Sequence, residues 1–184
     1  MGRLALPRNL VAAAEHEGRQ EWLASTLPAV IAVVQELWSP TVGEPFQPGG
    51  QTAWVAPVRD ASGTRLVLKV VWRHPEAAHE AAALRAWAGN AAVRLHAATD
   101  LDDAIALLLE RCLPGPPLSG CPEPEQDTVI AGLLRRLWIQ PARNHPFRSL
   151  QLMCQQWADR FAAEAESGGV RLDPGLARAG SSTC

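Results

Sequence analysis

A lysine in the middle of an apolar, β-branched run constrains this chain more than any other feature. The run is Leu66-Val67-Leu68-Lys69-Val70-Val71-Trp72, strand-like in content and length. An ammonium inside it must point into a polar cleft or meet a partner, because an unpaired buried charge is costly. Of the 17 basic residues sixteen are Arg, and Lys69 is the sole Lys. With no Tyr and abundant Ala, Gly, Pro and Arg, the composition carries a coding bias that writes most basic positions as Arg. A compact ammonium meets a phosphate as a point charge, where a planar guanidinium does not fit the same space. The plain alternative is an edge-strand lysine that discourages aggregation.

The elements around this strand set its context. Residues 1–40 read as helical: Trp22, Leu23 and Leu27 share one side, and Pro28 opens a second helix over 29–38. A strand is expected over 41–47, at an edge because of Pro45. Pro48-Gly49-Gly50 forms a turn, 51–58 a second strand, and Asp60-Ala61-Ser62-Gly63 another turn before 65–72. The three strands make an antiparallel meander. A helix is expected over 75–88, with Pro75 in its first turn, Glu76 at its N-terminal end and Gly89-Asn90 as its stop. Shorter strands follow over 92–97 and 104–110, joined by a turn at 100–103. The Pro/Gly-rich stretch 112–118 reads as a hinge. Beyond it, Val129, Ile130, Leu133, Leu134, Leu137 and Trp138 recur at helical spacing, as do Phe147, Leu150, Cys154, Trp157 and Phe161. Such stripes ordinarily face a core, and the seven Trp likewise read as packing residues.

Length and charge exclude several classes. The 184 residues fit one domain or slightly more. A net charge of −2 argues against a general nucleic-acid binder. The apolar run 29–34 is far short of the roughly 20 residues that span a bilayer, and residues 3–17 hold no signal-peptide core. Cysteines 112, 121, 154 and 184 form neither a zinc pattern nor a disulfide framework. A cytoplasmic protein without membrane or nucleic-acid partners is expected.

On the 75–88 helix, Ala77, Glu80, Ala81, Leu84 and Ala88 share a face. Glu80 therefore lies on the stripe that packs on the sheet, and Lys69 on the preceding strand is its expected partner. The plain alternative is a partly exposed glutamate on an Ala-rich helix. A glycine turn, a strand lysine, a helix glutamate, two more strands and a hinge follow the order of a kinase small lobe. There the lysine holds nucleotide phosphates and the glutamate positions it. The glycine element Gln47-Pro48-Gly49-Gly50-Gln51-Thr52 is not G-x-G-x-x-G, and its weight comes from its placement.

The stretches Gln51-Thr52-Ala53-Trp54-Val55, Leu66 to Trp72, His79 to Trp87 and Ala106 to Gly115 resemble the aminoglycoside/hydroxyurea antibiotic resistance kinases. The similarity runs over most of residues 4–178. It implies an α+β, protein-kinase-like fold: a small lobe over 41–111 with a five-stranded antiparallel sheet plus helix, then an incomplete helical large lobe over 119–184. The implied reaction moves the γ-phosphoryl of ATP to a hydroxyl of streptomycin or a related aminoglycoside, and hydroxyurea is the alternative acceptor. The implied nucleotide-binding residues are Lys69, Glu80, Gly49, Gly50, Gln51 and Thr52, with the backbone around Glu110 to Cys112 receiving the adenine.

The resemblance also implies a catalytic loop H-G-D-x-x-x-x-N and a later D-P that supplies a Mg²⁺ ligand. None of His16, His74, His79, His96 and His145 is followed two positions later by Asp. Asp173-Pro174 has no apolar strand leading into it and reads instead as a helix start. The expectation is a chain truncated before its catalytic residues, with no catalytic or metal-ligating residue of its own, negligible kinase activity and weak nucleotide affinity. The competing expectation is a non-catalytic interaction module that docks through helices 127–138 and 147–165.

Overall fold

The computed structural model describes residues 4–166. The chain divides into two compact units, residues 1–143 and 144–184. The first is built on a five-stranded antiparallel sheet in the order β1-β2-β3-β5-β4. Its strands are β1 (Thr41–Val42), β2 (Ala53–Arg59), β3 (Arg65–Trp72), β4 (Leu95–Leu101) and β5 (Ala104–Glu110). Lys69 lies on β3, the central strand, paired with Val55 on one side and Leu107 on the other. The edge-lysine alternative is therefore removed.

Alternation along the strands gives each face of the sheet its own core. On one face Trp54, Ala56, Val58, Leu66, Leu68, Val70, Trp72, Ala106 and Leu108 meet the N-terminal helices α1 (Arg8–His16) and α2 (Leu27–Trp38). Trp22 stands edge-on to Trp72, with ring centroids 5.5 Å apart. Its Nε1 donates to the Asp103 carbonyl at 3.1 Å, and Trp54 Nε1 donates to Ala5 O at 3.0 Å. Both buried indoles are thus satisfied. On the other face Ala53, Val71, Ile105, Leu107 and Leu109 pack with Ala77 and Leu84 around helix α3 (Glu80–Trp87). Lys69 belongs to this second face.

Several boundaries differ from the expectation, each for a local reason. The strand expected over 41–47 is regular only at Thr41–Val42. Pro45 has no N–H to continue the ladder, yet pairing persists irregularly as Gly43 N donates to Pro57 O and Phe46 N to Val55 O, each at 2.9 Å. β4 begins at Leu95 rather than 92 and runs on through Asp100 and Leu101, leaving only Asp102 and Asp103 in the turn. That turn is a tether as well as a solvated loop: Arg19 Nη1 reaches the Asp103 carboxylate at 3.2 Å, and Arg73 Nε donates to the Asp102 carbonyl at 3.1 Å. The two N-terminal helices are joined through a π-turn, Trp22–Thr26. Pro28 lacks the N–H that would close an α-turn onto Ala24.

The helix expected from 75 starts only at Glu80; residues 75–79 form consecutive turns anchored on the His74 carbonyl. Glu76 meets His74 Nδ1 at 3.0 Å instead of capping a helix. After the hinge come helices α4 (Glu123–Leu137) and, in the second unit, α5 (Leu150–Glu166). Trp87 Nε1 donates to Leu137 O at 3.0 Å, and Arg136 Nε to Asn90 Oδ1 at 3.0 Å, which ties the end of α4 to the end of α3. The stripe Val129, Ile130, Leu133, Leu134 on α4 is exposed rather than core, as are Trp138 and Trp157. The Ser149 hydroxyl accepts from Leu152 N–H at 3.1 Å and caps α5, which starts three residues later than the expected 147. Asp173-Pro174 and Cys184 lie outside the described residues. No helix among the described residues is long and apolar enough to cross a membrane.

The β2–β3 turn carries a pH-sensitive feature. The Ser62 hydroxyl, the foremost cause, and the Ser62 and Thr64 N–H groups donate to the Asp60 carboxylate and hold its carboxyl below the usual range. A depressed folded-state pKa gives stability that is present above the unfolded value and lost as pH falls through the folded one. Asp60→Ala should therefore lower the Tm at about pH 7 and have little effect near about pH 2. A pH-independent difference would contradict this account.

Candidate active site

Lys69 Nζ lies 2.6 Å from Glu80 Oε1 and 2.8 Å from Oε2. Both side chains retain about a quarter of their surface, 25% and 27%. The ion pair is thus neither sealed in the core nor free in water, and the ammonium keeps an open side toward solvent. Glu80 occupies the first turn of α3, where the helix dipole favours a carboxylate. The delayed start of α3 is what brings Glu80, rather than Glu76, to this position. β3 supplies the lysine because its side chain alternates onto the α3 face, two residues from Val67 and Val71.

A cavity of about 360 Å³ opens on the same face. Its walls are Phe46, Val67, Val93 and Leu109, closed by the hinge from Glu110 to Gly115. The Arg111 guanidinium stands 5.8 Å from the centroid of the Phe46 ring at this rim. Gly115 has φ +61°, and a β-carbon there would lie 2.6 Å from Cys112 O. Only glycine lets the hinge fold back so tightly. Val67 and Lys69 are alternate residues of one strand, roughly 7 Å apart along it. At the far end of β3, Trp72 N donates to Thr52 O at 3.2 Å, so the glycine turn lies past that end. Read along β3, the order is apolar cavity, ammonium, glycine turn.

The expected site residues fall into place unevenly. Lys69 and Glu80 are brought together. Gly50 and Gln51 are exposed at the tip of the turn, Thr52 is half-buried at the root of β2, and Gly49 is held against the N-terminal segment. Cys112 is exposed at the cavity wall as a free thiol. The Glu110 carboxylate is already engaged: its Oε2 accepts from Arg94 N at 3.0 Å, while its own N–H donates to Arg94 O at 2.8 Å. Any role of Glu110 toward a ligand thus falls to the main chain around it. Phe46 and the Arg111 side chain were not among the residues expected from the sequence, which placed only the backbone around Arg111 in the site. The one signal for Phe46 was an aromatic immediately after Pro45, in a segment that cannot continue as regular strand.

Among the described residues, no group of three or more His, Cys, Asp or Glu side chains converges to hold a metal ion. What the arrangement can do chemically is hold an apolar ring beside a hinge and a polyanion against an oriented ammonium.

The sequence matches the family model described as aminoglycoside/hydroxyurea antibiotic resistance kinase over residues 40–179. It is 43% identical over 115 residues to a hydroxyurea phosphotransferase of Kitasatospora aureofaciens, covering 60% of this chain and 33% of that protein. It is 34% identical over 128 residues to streptomycin 6-kinases of Streptomyces griseus and Streptomyces glaucescens, covering 68% of this chain and 40% of each relative. The chain thus spans between a third and two-fifths of the length of these relatives.

Proposed function

The chain belongs to the aminoglycoside/hydroxyurea antibiotic resistance kinases, and from that premise we propose that residues 41–118 form the nucleotide-binding half of such a phosphotransferase. The observation that carries the proposal is the bidentate Lys69–Glu80 pair on the sheet face that also lines the hinge cavity. ATP places its adenine between Phe46, Val67 and Leu109, against the main chain of the hinge. Its phosphates extend along β3 to Lys69 and the glycine turn. Glu80 holds the ammonium in one orientation, so binding a phosphate requires little reordering. The acceptor is a hydroxyl of an aminoglycoside of the streptomycin kind or of hydroxyurea, and the product is a phosphorylated drug, consistent with a resistance role. In the family's reaction Mg²⁺ neutralises charge on the phosphates.

Equilibrium titration with ATP and with adenosine tests this reading. Saturable ATP binding is expected, and Glu80→Gln should weaken it about fivefold, because the ammonium keeps its charge but loses an oriented, charge-assisted partner. No ATP binding by the unmodified chain would overturn the proposal. A second reading, a non-catalytic interaction module, has the exposed stripe of α4 in its favour. Under that reading Lys69→Ala leaves partner binding untouched.

A further inference from the structure

The glycine turn is not supported by its own hairpin alone. Four hydrogen bonds reach it from residues about forty positions earlier. Asn9 N donates to Pro48 O at 3.0 Å, and Asn9 Nδ2 to Gly49 O at 2.9 Å. Arg8 N donates to Gln47 Oε1 at 3.2 Å, and Gln47 Nε2 returns a bond to Leu6 O at 3.4 Å. Gly49 has φ +80°, and a β-carbon there would overlap Pro7 Cβ. Pro7 itself is buried. The N-terminal segment doing this is firmly seated: Leu10 and Ala14 are fully buried on the face of the sheet away from Lys69, and Ala5 O receives the Trp54 indole. One segment therefore connects the core behind the sheet to the glycine turn past the end of β3.

We infer that Asn9 is a positioning residue for nucleotide binding, which with Gln47 fixes the glycine turn in its phosphate-facing form. The inference rests on the nucleotide-binding reading above. A turn past the end of its strand ladder, with Gly50 and Gln51 exposed, has many accessible conformations. Fixing it before the ligand arrives removes part of the ordering cost of binding. The Asn9 side chain does this through a carbonyl of the turn and touches no ligand itself. Its removal should thus be felt by the part of the nucleotide that meets the turn, and not by the base. A merely structural role would predict no such split.

The experiment measures the affinity of the full 184-residue chain for ATP and for adenosine, in the unmodified protein, Asn9→Ala, Gln47→Ala and Lys69→Ala. Asn9→Ala should weaken ATP about five- to tenfold and leave adenosine unchanged, the loss of one neutral hydrogen bond and the order it imposes. Gln47→Ala should show the same ATP-selective loss; it is exposed and outside both cores, so it carries the test even where Asn9→Ala fails to fold. Equal loss of ATP and adenosine, or no loss of either, would overturn the role given to the N-terminal segment. An unmodified chain that binds ATP no better than adenosine, with Lys69→Ala without effect, would instead overturn the nucleotide-binding reading beneath it.

Discussion

The 184-residue polypeptide mixed with ATP, Mg²⁺ and streptomycin should release ADP no faster than a protein-free control, and the same holds with hydroxyurea as acceptor. Phosphoryl transfer depends on positioning the phosphates, on neutralising the charge that develops on them, and on a carboxylate that receives or orients the acceptor proton. Under the proposed function, Lys69, Glu80 and the hinge cavity serve the first. For the second and third, the sequence as given contains no His-Gly-Asp, and among the described residues no three His, Cys, Asp or Glu side chains converge. A missing general base costs about 10²–10⁴ in rate and missing electrostatic stabilisation about 10²–10³. Together they place turnover at least about 10⁴-fold below the 1–100 s⁻¹ or so typical of kinases. Steady-state ADP release measures this directly, and turnover in the ordinary kinase range would contradict it.

Lys69→Ala should weaken ATP by about 10–100-fold while adenosine affinity stays within about twofold. The estimate follows from losing a hydrogen bond to a charged group, worth about 1.5–3 kcal/mol. The variant also leaves Glu80 without its partner, and a carboxylate on this face adds repulsion toward a polyanion. The fold should tolerate the change. Glu80 keeps 27% of its side-chain surface exposed, so solvent can screen it, and the stability cost is expected to be about 1 kcal/mol or less. Comparable losses for ATP and adenosine would show that Lys69 supports the sheet rather than the phosphates.

The Lys69–Glu80 pair was legible in the sequence because two periodicities intersect there. A strand alternates every second residue and the following helix repeats every three to four, so each charge could be assigned to the face that packs on the other. The same logic misplaced the helix start. Pro75 and Glu76 carry strong N-terminal signals, but the His74 carbonyl captures the following N–H groups in tight turns and His74 itself takes Glu76. Local competition of that kind leaves no periodic mark. Strand 41–47 failed at Pro45 for a related reason: the chain keeps its direction and its pairing to β2 but loses regular geometry. Non-local contacts were beyond reach altogether. No spacing in the sequence announces that Asn9 holds Gly49, that Asp103 answers Arg19 and Trp22, or that Phe46 and Arg111 meet at the hinge. The apolar stripe of α4 was legible as a stripe, but its burial depends on what covers it, and on that a helical period is silent.

Contact of one ammonium with phosphate is unusually easy to observe in this composition. Lys69 is the only lysine in the chain, so protein labelled with ¹³C at lysine Cε gives one side-chain signal that needs no assignment. Titration with ATP should move that signal in a saturable manner, with adenosine leaving it in place and Glu80→Gln displacing its starting position. A lysine signal that ATP does not move, at concentrations where binding is detected by another probe, would contradict the central claim.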